Sequence, residues 1–289
     1  MDKLLSQFSP PFRAALAPYA REMAGAREIR IRVCRPLLLR GEKNLRIPLE
    51  PDEAQIRDLL LSFCGQALYA RQEELNQGFL TLPCGHRVGV CGHMALDGAR
   101  RNALTQVQAL NVRIARQVPC DARALAAAMP GGALRSTLVL SEPGMGKTTL
   151  LRELARALSR AGAQVAIADE RGELAACVRG VPQLDVGPCT DVMDNMGKAE
   201  AVRLLTRSMA PDVIVSDEIG GEADAAALLD ARRCGVQVLC SAHAAGFAQA
   251  KRRPALEPLL RAGVFDRIVV LGGRVGRIAA VLDGEGRPC

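Results

Sequence analysis

Leu138-Val-Leu-Ser-Glu-Pro-Gly-Met-Gly-Lys-Thr-Thr-Leu-Leu-Arg152 is the stretch whose reading decides the fold. Leu138 to Leu140 are apolar and read as a short buried strand. Ser141 to Gly146 form a loop with glycines at 144 and 146. From Lys147 onward, Leu150, Leu151, Leu154, Ala155 and Leu158 recur at helical spacing. Strand, glycine loop and helix together give a Gly-Lys-Thr match its chemical meaning. Loop amides and a helix N-terminus present N–H groups and partial positive charge to phosphate oxygens. Gly144 and Gly146 allow tight turns and close approach. Lys147 is positioned for β- and γ-phosphates, and the Thr148 hydroxyl for Mg²⁺. Ser141 stands where the usual pattern begins with Gly. Expected nucleotide contacts are therefore Ser141, Pro143, Gly144, Met145, Gly146, Lys147, Thr148 and Thr149.

The chain has 289 residues, a length for one or two domains. Hydrophobic residues make up 49% and aromatics only 3%, with no Trp, so the cores must be aliphatic. The net charge of +7 is compatible with an anionic partner or simply with a solvated basic surface. The ten cysteines are scattered, several inside apolar runs, as buried small hydrophobes are. The first ten residues, MDKLLSQFSP, lack a long apolar segment, so no secretory leader is expected. No run approaches the length of a membrane-spanning helix. These readings point to reducing cytoplasm and free thiols.

Residues 1–26 read as helix interrupted by Pro10, Pro11 and Pro18. Glu28–Val33 alternates as a half-buried strand, and Pro36–Arg40 continues as a second. Residues 52–75 read as an amphipathic helix broken at Gly65. Gly78–Leu82 and His86–Cys91 read as a hairpin around Pro83-Cys-Gly85, and residues 107–116 as another strand. A short Ala-rich helix follows at 120–129. Pro130-Gly-Gly132 is the best domain boundary. It divides an N-terminal α/β domain, 1–132, from a C-terminal domain, 133–289. Beyond it, strands are expected at 136–141, 165–168, 213–216 and 236–241, with a closing hairpin at 268–271 and 278–282. Helices are expected at 147–161, 197–209 and 222–234. Apolar strands alternating with helices predict a parallel sheet covered on both faces.

Ala210–Gly220 contains an apolar strand ending in Asp217 and Glu218. In a phosphate-loop fold that strand end lies beside the glycine loop. Asp217 is then the expected Mg²⁺ partner. Glu218 is the expected general base or water-orienting residue. Val165–Arg171 is a second strand ending in charge, so Asp169 and Glu170 are also candidates for the site. Glu218 is preferred over Glu170 as the base, with Glu170 positioning water. Val236–Ala244 ends at His243, at the strand edge where such sheets bind ligands.

Together these residues resemble the stage III sporulation protein AA family. The resemblance rests on Gly144–Thr149, Asp169-Glu-Arg171, Lys198-Ala-Glu200, Pro211–Gly220 and Ala242-His-Ala244. In the N-terminal half it rests on Glu28-Ile-Arg-Ile-Arg32 and Gly85-His-Arg-Val-Gly89. The family is similar in turn to the hexameric ATPases of type II and type IV secretion and of pilus assembly. The resemblance implies a RecA-like ATPase domain behind a small N-terminal α/β domain. It also implies ATP and Mg²⁺ as ligands and a homo-oligomeric ring such as a hexamer. Its acidic box, Walker B and histidine box correspond to Asp169–Glu170, Asp217–Glu218 and His243. It further implies a motor on the cytoplasmic, mother-cell face of the forespore membrane, acting with membrane-embedded channel proteins. Secretion motors receive arginines from the N-terminal domain of a neighbouring subunit, and Arg87, Arg113 and Arg116 are the candidates here.

Cys84-Gly-His86 and Cys91-Gly-His93 offer zinc donors, but the spacing is unlike structural zinc patterns and the segment reads better as a hairpin. Lys251-Arg-Arg253 reads as a solvated helix end. The alternative function is a nucleic-acid-dependent ATPase, which the basic charge favours. The scarcity of stacking aromatics and the lack of a nucleic-acid module oppose it. A nucleotide-dependent scaffold with little turnover is a third reading, opposed by intact Lys147, Thr148, Asp217 and Glu218. ATP is preferred to GTP because no Asn-Lys-x-Asp motif is present and because of the resemblance.

Overall fold

The computed structural model describes residues 2–41, 43–76, 78–82, 85–97, 100–114 and 121–289. The chain divides into two compact units, Met1–Arg116 and Gln117–Cys289.

In the first unit, helices α1 (Asp2–Leu5), α2 (Pro10–Leu16) and α3 (Ala20–Gly25) precede strands β1 (Glu28–Arg32), β2 (Arg35–Arg40) and β3 (Leu45–Ile47). Helices α4 (Glu53–Phe63) and α5 (Gln72–Asn76) lead to β4 (Phe79–Thr81), β5 (Arg87–Asp97) and β6 (Arg100–Arg113). The six strands form one antiparallel sheet in the order β3-β2-β1-β6-β5-β4. A capping box starts α4: Asp52 accepts from the Gln55 N–H at 2.8 Å, and the Gln55 side chain accepts from the Asp52 N–H at 3.0 Å. Successive strand residues face opposite ways. Ile29, Ile31, Leu37, Leu39, Leu80, Val88, Leu110 and Val112 are buried in one core with Leu4, Phe12, Ile56, Leu59 and Phe63 from the helices and Phe8 from the bend between α1 and α2. Phe8 and Phe63 meet edge to face, centroids 5.1 Å apart.

The opposite sheet face is basic. Arg30, Arg32, Arg40 and Arg113 lie on it, and Arg87 stands directly opposite Arg113 in the β5–β6 register. Glu28 lies among them, 3.1 Å from Arg30 and 3.0 Å from Arg40.

The second unit contains α6 (Ala122–Ala128), β7 (Thr137–Ser141), α7 (Lys147–Arg160), β8 (Val165–Asp169), β9 (Thr190–Asp194), α8 (Lys198–Ser208) and β10 (Val213–Ser216). It continues through α9 (Glu222–Arg233), β11 (Gln237–His243), α10 (Phe247–Ala250), α11 (Glu257–Arg261), β12 (Arg267–Leu271) and β13 (Ile278–Asp283). The sheet order is β13-β12-β7-β11-β10-β8-β9, parallel except for the β12–β13 hairpin. Leu138 and Leu140 pack on one face with Val202, Leu205 and Leu228 of α8 and α9. Val139 packs on the other with Leu150, Leu151, Leu154 and Leu158 of α7. Strands buried on both faces have no polar side to show, which is why they are apolar runs.

Three features differ from the sequence expectation. The division into units falls at Arg116 rather than at Pro130-Gly-Gly132, because Ala124, Ala127 and Ala128 of α6 are buried in the α7 core. β5 and β6 are far longer than the expected segments, and β6 ends at Arg113. Edge strands β3 and β9 were not expected. Among the described residues no helix is long and apolar enough to cross a membrane. Among the described residues eight cysteines are free, with the Cys240 thiol pushed up to about 12 by complete burial.

Candidate active site

The glycine loop leaves the C-terminal end of β7 and re-enters helix at Lys147. Gly144 and Gly146 have φ of 75° and 93°, the left-handed region that disfavours a side chain. Gly146 is the N-cap of α7, so the helix amides open onto the loop. Ser141 is wholly buried as the last residue of β7. Its hydroxyl donates to the Glu142 carbonyl at 2.8 Å. It therefore turns inward as part of the loop's own bonding, in the place where the usual pattern has Gly.

Lys147 is the centre of the cluster and only 7% exposed. Its ammonium lies 3.3 Å from Ser141 Oγ, 3.4 Å from the Ser141 carbonyl and 3.4 Å from the Glu142 carbonyl. It is 2.7 Å from Nδ1 of His243. An ammonium has no acceptor capacity, so Nδ1 accepts and the imidazole proton sits on Nε2. His243 Nε2 is 3.0 Å from Glu218 Oε2. Burial lowers the Lys147 pKa, and the charges of Glu218 and Asp217 act against that fall.

Thr148 and Asp217 form the second half. Thr148 Oγ1 donates to Asp217 Oδ2 at 2.9 Å, and Ser241 Oγ donates to Asp217 Oδ1 at 2.9 Å. Residues from β7, β10 and β11 thus converge at one edge of the sheet, because all three strands are parallel. Thr149 is half-buried on the first turn of α7, and Met145 is half-buried in the loop, while Pro143 is exposed. The Met145 carbonyl accepts from the Gly276 N–H at 2.9 Å.

Asp169 and Glu170 take separate places. Asp169 is 1% exposed and accepts from the backbone N–H groups of Glu173, Leu174 and Ala175, at 2.8–3.1 Å. Burial raises its pKa, and those bonds oppose the rise. Its carboxylate folds the following loop. Arg152 of α7 pins the same loop by donating to the Glu173 and Leu174 carbonyls, both at 2.6 Å. Glu170 is more open and lies 3.9 Å from Lys198 Nζ. Lys198 also donates to the Glu218 carbonyl and lies 3.9 Å from Asp224.

Ser241, Lys198 and Asp224 reach the cluster without having been singled out for the site. Ser241 shares a strand with His243, two positions away and therefore on the same face. Arg87 and Arg113 lie in the first unit, with the Arg87 guanidinium 3.7 Å from the Phe79 ring centroid. Arg116 lies outside the described residues, as does Cys84 of the zinc-like set. Among the described residues, no group of three or more His, Cys, Asp or Glu is arranged to hold a metal.

The fold is that of secretion ATPases. It superposes on the ATPase DotB of Legionella pneumophila with a TM-score of 0.60 at 17% identity, covering 91% of this chain and 76% of that one. It superposes equally on the pilus retraction motor PilT with bound ADP, TM-score 0.60 at 16% identity, covering 92% and 80%. In sequence it is 35% identical to Stage III sporulation protein AA of Bacillus subtilis (strain 168) over 268 residues, 90% of this chain and 87% of the relative. The model of the family described as Sporulation stage III, protein AA, matches residues 2–288, and the chain belongs to that family.

Proposed function

We propose that the chain is an ATP-hydrolysing motor that works as a homo-oligomeric ring such as a hexamer. Its place would be the cytoplasmic, mother-cell face of the forespore membrane, where it would energise membrane-embedded channel proteins during sporulation. The observation that carries the chemistry is the chain Lys147–His243–Glu218, set beside the Thr148–Asp217 bond at the mouth of a glycine loop. Family membership supports the sporulation role, and the ADP held by the pilus motor supports an adenine nucleotide.

In this reading the loop amides and Lys147 bind the triphosphate, and phosphate oxygens compete with the Ser141 and Glu142 carbonyls for the ammonium. Glu218 accepts a proton from the attacking water. His243 holds that carboxylate by its Nε2–H and keeps it oriented. Thr148 and Asp217 are hard oxygen donors, a set that suits Mg²⁺. The ion would supply charge neutralisation at the phosphates.

The test is Mg²⁺-dependent phosphate release by the purified full chain and by Lys147→Ala. Hydrolysis should vanish in the variant and ATP binding should weaken strongly. Unchanged hydrolysis would sink the reading. The arginine-rich face of the first unit favours one alternative, a nucleic-acid-dependent ATPase. Stimulation of turnover by single-stranded DNA or RNA would select it.

A further inference from the structure

The turn between β12 and β13, Gly272 to Arg277, lies against the glycine loop. The Gly276 N–H donates to the Met145 carbonyl at 2.9 Å. A Cβ built on Gly146 would lie 3.5 Å from Gly276 N and 3.6 Å from Cγ1 of Val275, which is contact distance. The turn is held by its own bonds: the Gly272 N–H donates to the Arg277 carbonyl at 3.0 Å and the Arg277 N–H to the Arg274 carbonyl at 3.1 Å. Gly273 and Gly276 supply the positive φ it needs, 78° and 75°. Yet Val275, at its tip, is 58% exposed.

Strand order says what faces this valine. Asp217 and Glu218 follow β10 and His243 ends β11, on one side of β7, and Lys147 leans to that side through His243. β12 is the neighbour of β7 on the other side and runs parallel to it, so its turn leaves the same edge of the sheet. A triphosphate laid along the loop with its reacting end at Glu218 therefore directs its other end toward β12.

Resting on the nucleotide reading above, we infer that the β12–β13 turn is the wall against which the nucleoside end of the bound nucleotide lies, with Val275 packed on the base. An apolar side chain flanked by two arginines, Arg274 and Arg277, suits a base, whose flat face is apolar and stacks with guanidinium groups. It also accounts for base binding in a chain with two Tyr and no Trp.

The experiment measures equilibrium binding of ATP and of inorganic tripolyphosphate to the full chain, Val275→Asn, Val275→Ile and Lys147→Ala, with thermal unfolding to confirm folding. Val275→Asn should weaken ATP about five- to tenfold, the loss of one modest apolar contact, and leave tripolyphosphate unchanged. Val275→Ile should bind both normally. Lys147→Ala should lose both ligands. Unchanged ATP affinity in Val275→Asn overturns the inference, and so does equal weakening of both ligands, which would make the turn a support for the loop. Full binding of both by Lys147→Ala would overturn the nucleotide reading itself, and the inference with it.

Discussion

His243 bridges a buried cation and a carboxylate: its Nδ1 is 2.7 Å from Lys147 Nζ, and its Nε2 is 3.0 Å from Glu218 Oε2. The Lys147 bond fixes the tautomer, and the tautomer aims an N–H at Glu218. Glu170 has no such support. It sits beyond β8 with Lys198 at 3.9 Å. The structure thus separates two carboxylates that are similar in sequence context.

Glu218→Gln should therefore uncouple binding from turnover. The amide keeps the size of the side chain but cannot take a proton. Phosphate release should fall by ~10²–10⁴-fold while ATP affinity changes little. Glu170→Gln should reduce turnover much less. The opposite ranking in a side-by-side steady-state assay would transfer the role of base to Glu170.

Asp169 gives a prediction of a different kind. Its carboxylate is enclosed and satisfied by three consecutive backbone N–H groups. Asp169→Asn offers one acceptor oxygen and turns an NH₂ toward donors. The full chain should lose about 1–3 kcal/mol of stability, read by denaturant unfolding. Wild-type stability combined with lost turnover would instead return Asp169 to the active site.

Much of the second unit was legible because its central strands are buried on both faces. Leu138–Leu140, Val165–Ala168 and Val213–Ser216 leave no ambiguity of period, and helices between them force parallel pairing. β9 escaped because Thr190-Asp-Val-Met-Asp194 is a polar edge strand with one neighbour, half open to solvent. β5 and β6 escaped in part because register shifts at Cys91/Gly92, His93/Met94 and Ala95/Leu96 break the alternation on which a strand reading depends. In the site, Lys147, Asp217 and Glu218 were legible from motif and spacing. The Ser241–Asp217 and Lys198–Glu218 bonds were not, since each joins residues 20 or more positions apart through the sheet.

His86 should make stability fall in mild acid. Burial holds its imidazole at about 4, against an ordinary value of 6.5. Above pH 6.5 both folded and unfolded chains carry it neutral, so its contribution is complete. Between pH 6.5 and about 4 the unfolded chain takes a proton that the folded chain refuses, and stability drops as pH falls. His86→Gln should flatten this part of the Tm profile relative to the parent. Parallel profiles for the two proteins across that window would show that His86 ionises as freely when folded.

The last prediction concerns assembly. Arg87 and Arg113 are Cα partners on adjacent strands and leave the same sheet face, with the Arg87 guanidinium over Phe79 of β4 and Glu28 opposite Arg113 on β1. An arginine on that face can pair with an anion laid over it. A nucleotide in a neighbouring subunit of a ring would be such an anion, and an arginine supplied across an interface contributes ~10³-fold or more to turnover. Activity per subunit should then rise with protein concentration. Arg87→Ala or Arg113→Ala subunits, each inactive alone, should regain activity when mixed with Lys147→Ala subunits. One interface in such a mixture joins an intact glycine loop to an intact arginine. Concentration-independent turnover by a monomer, established by sizing with light scattering, together with no rescue in either mixture, would refute the shared site and leave each chain hydrolysing ATP alone.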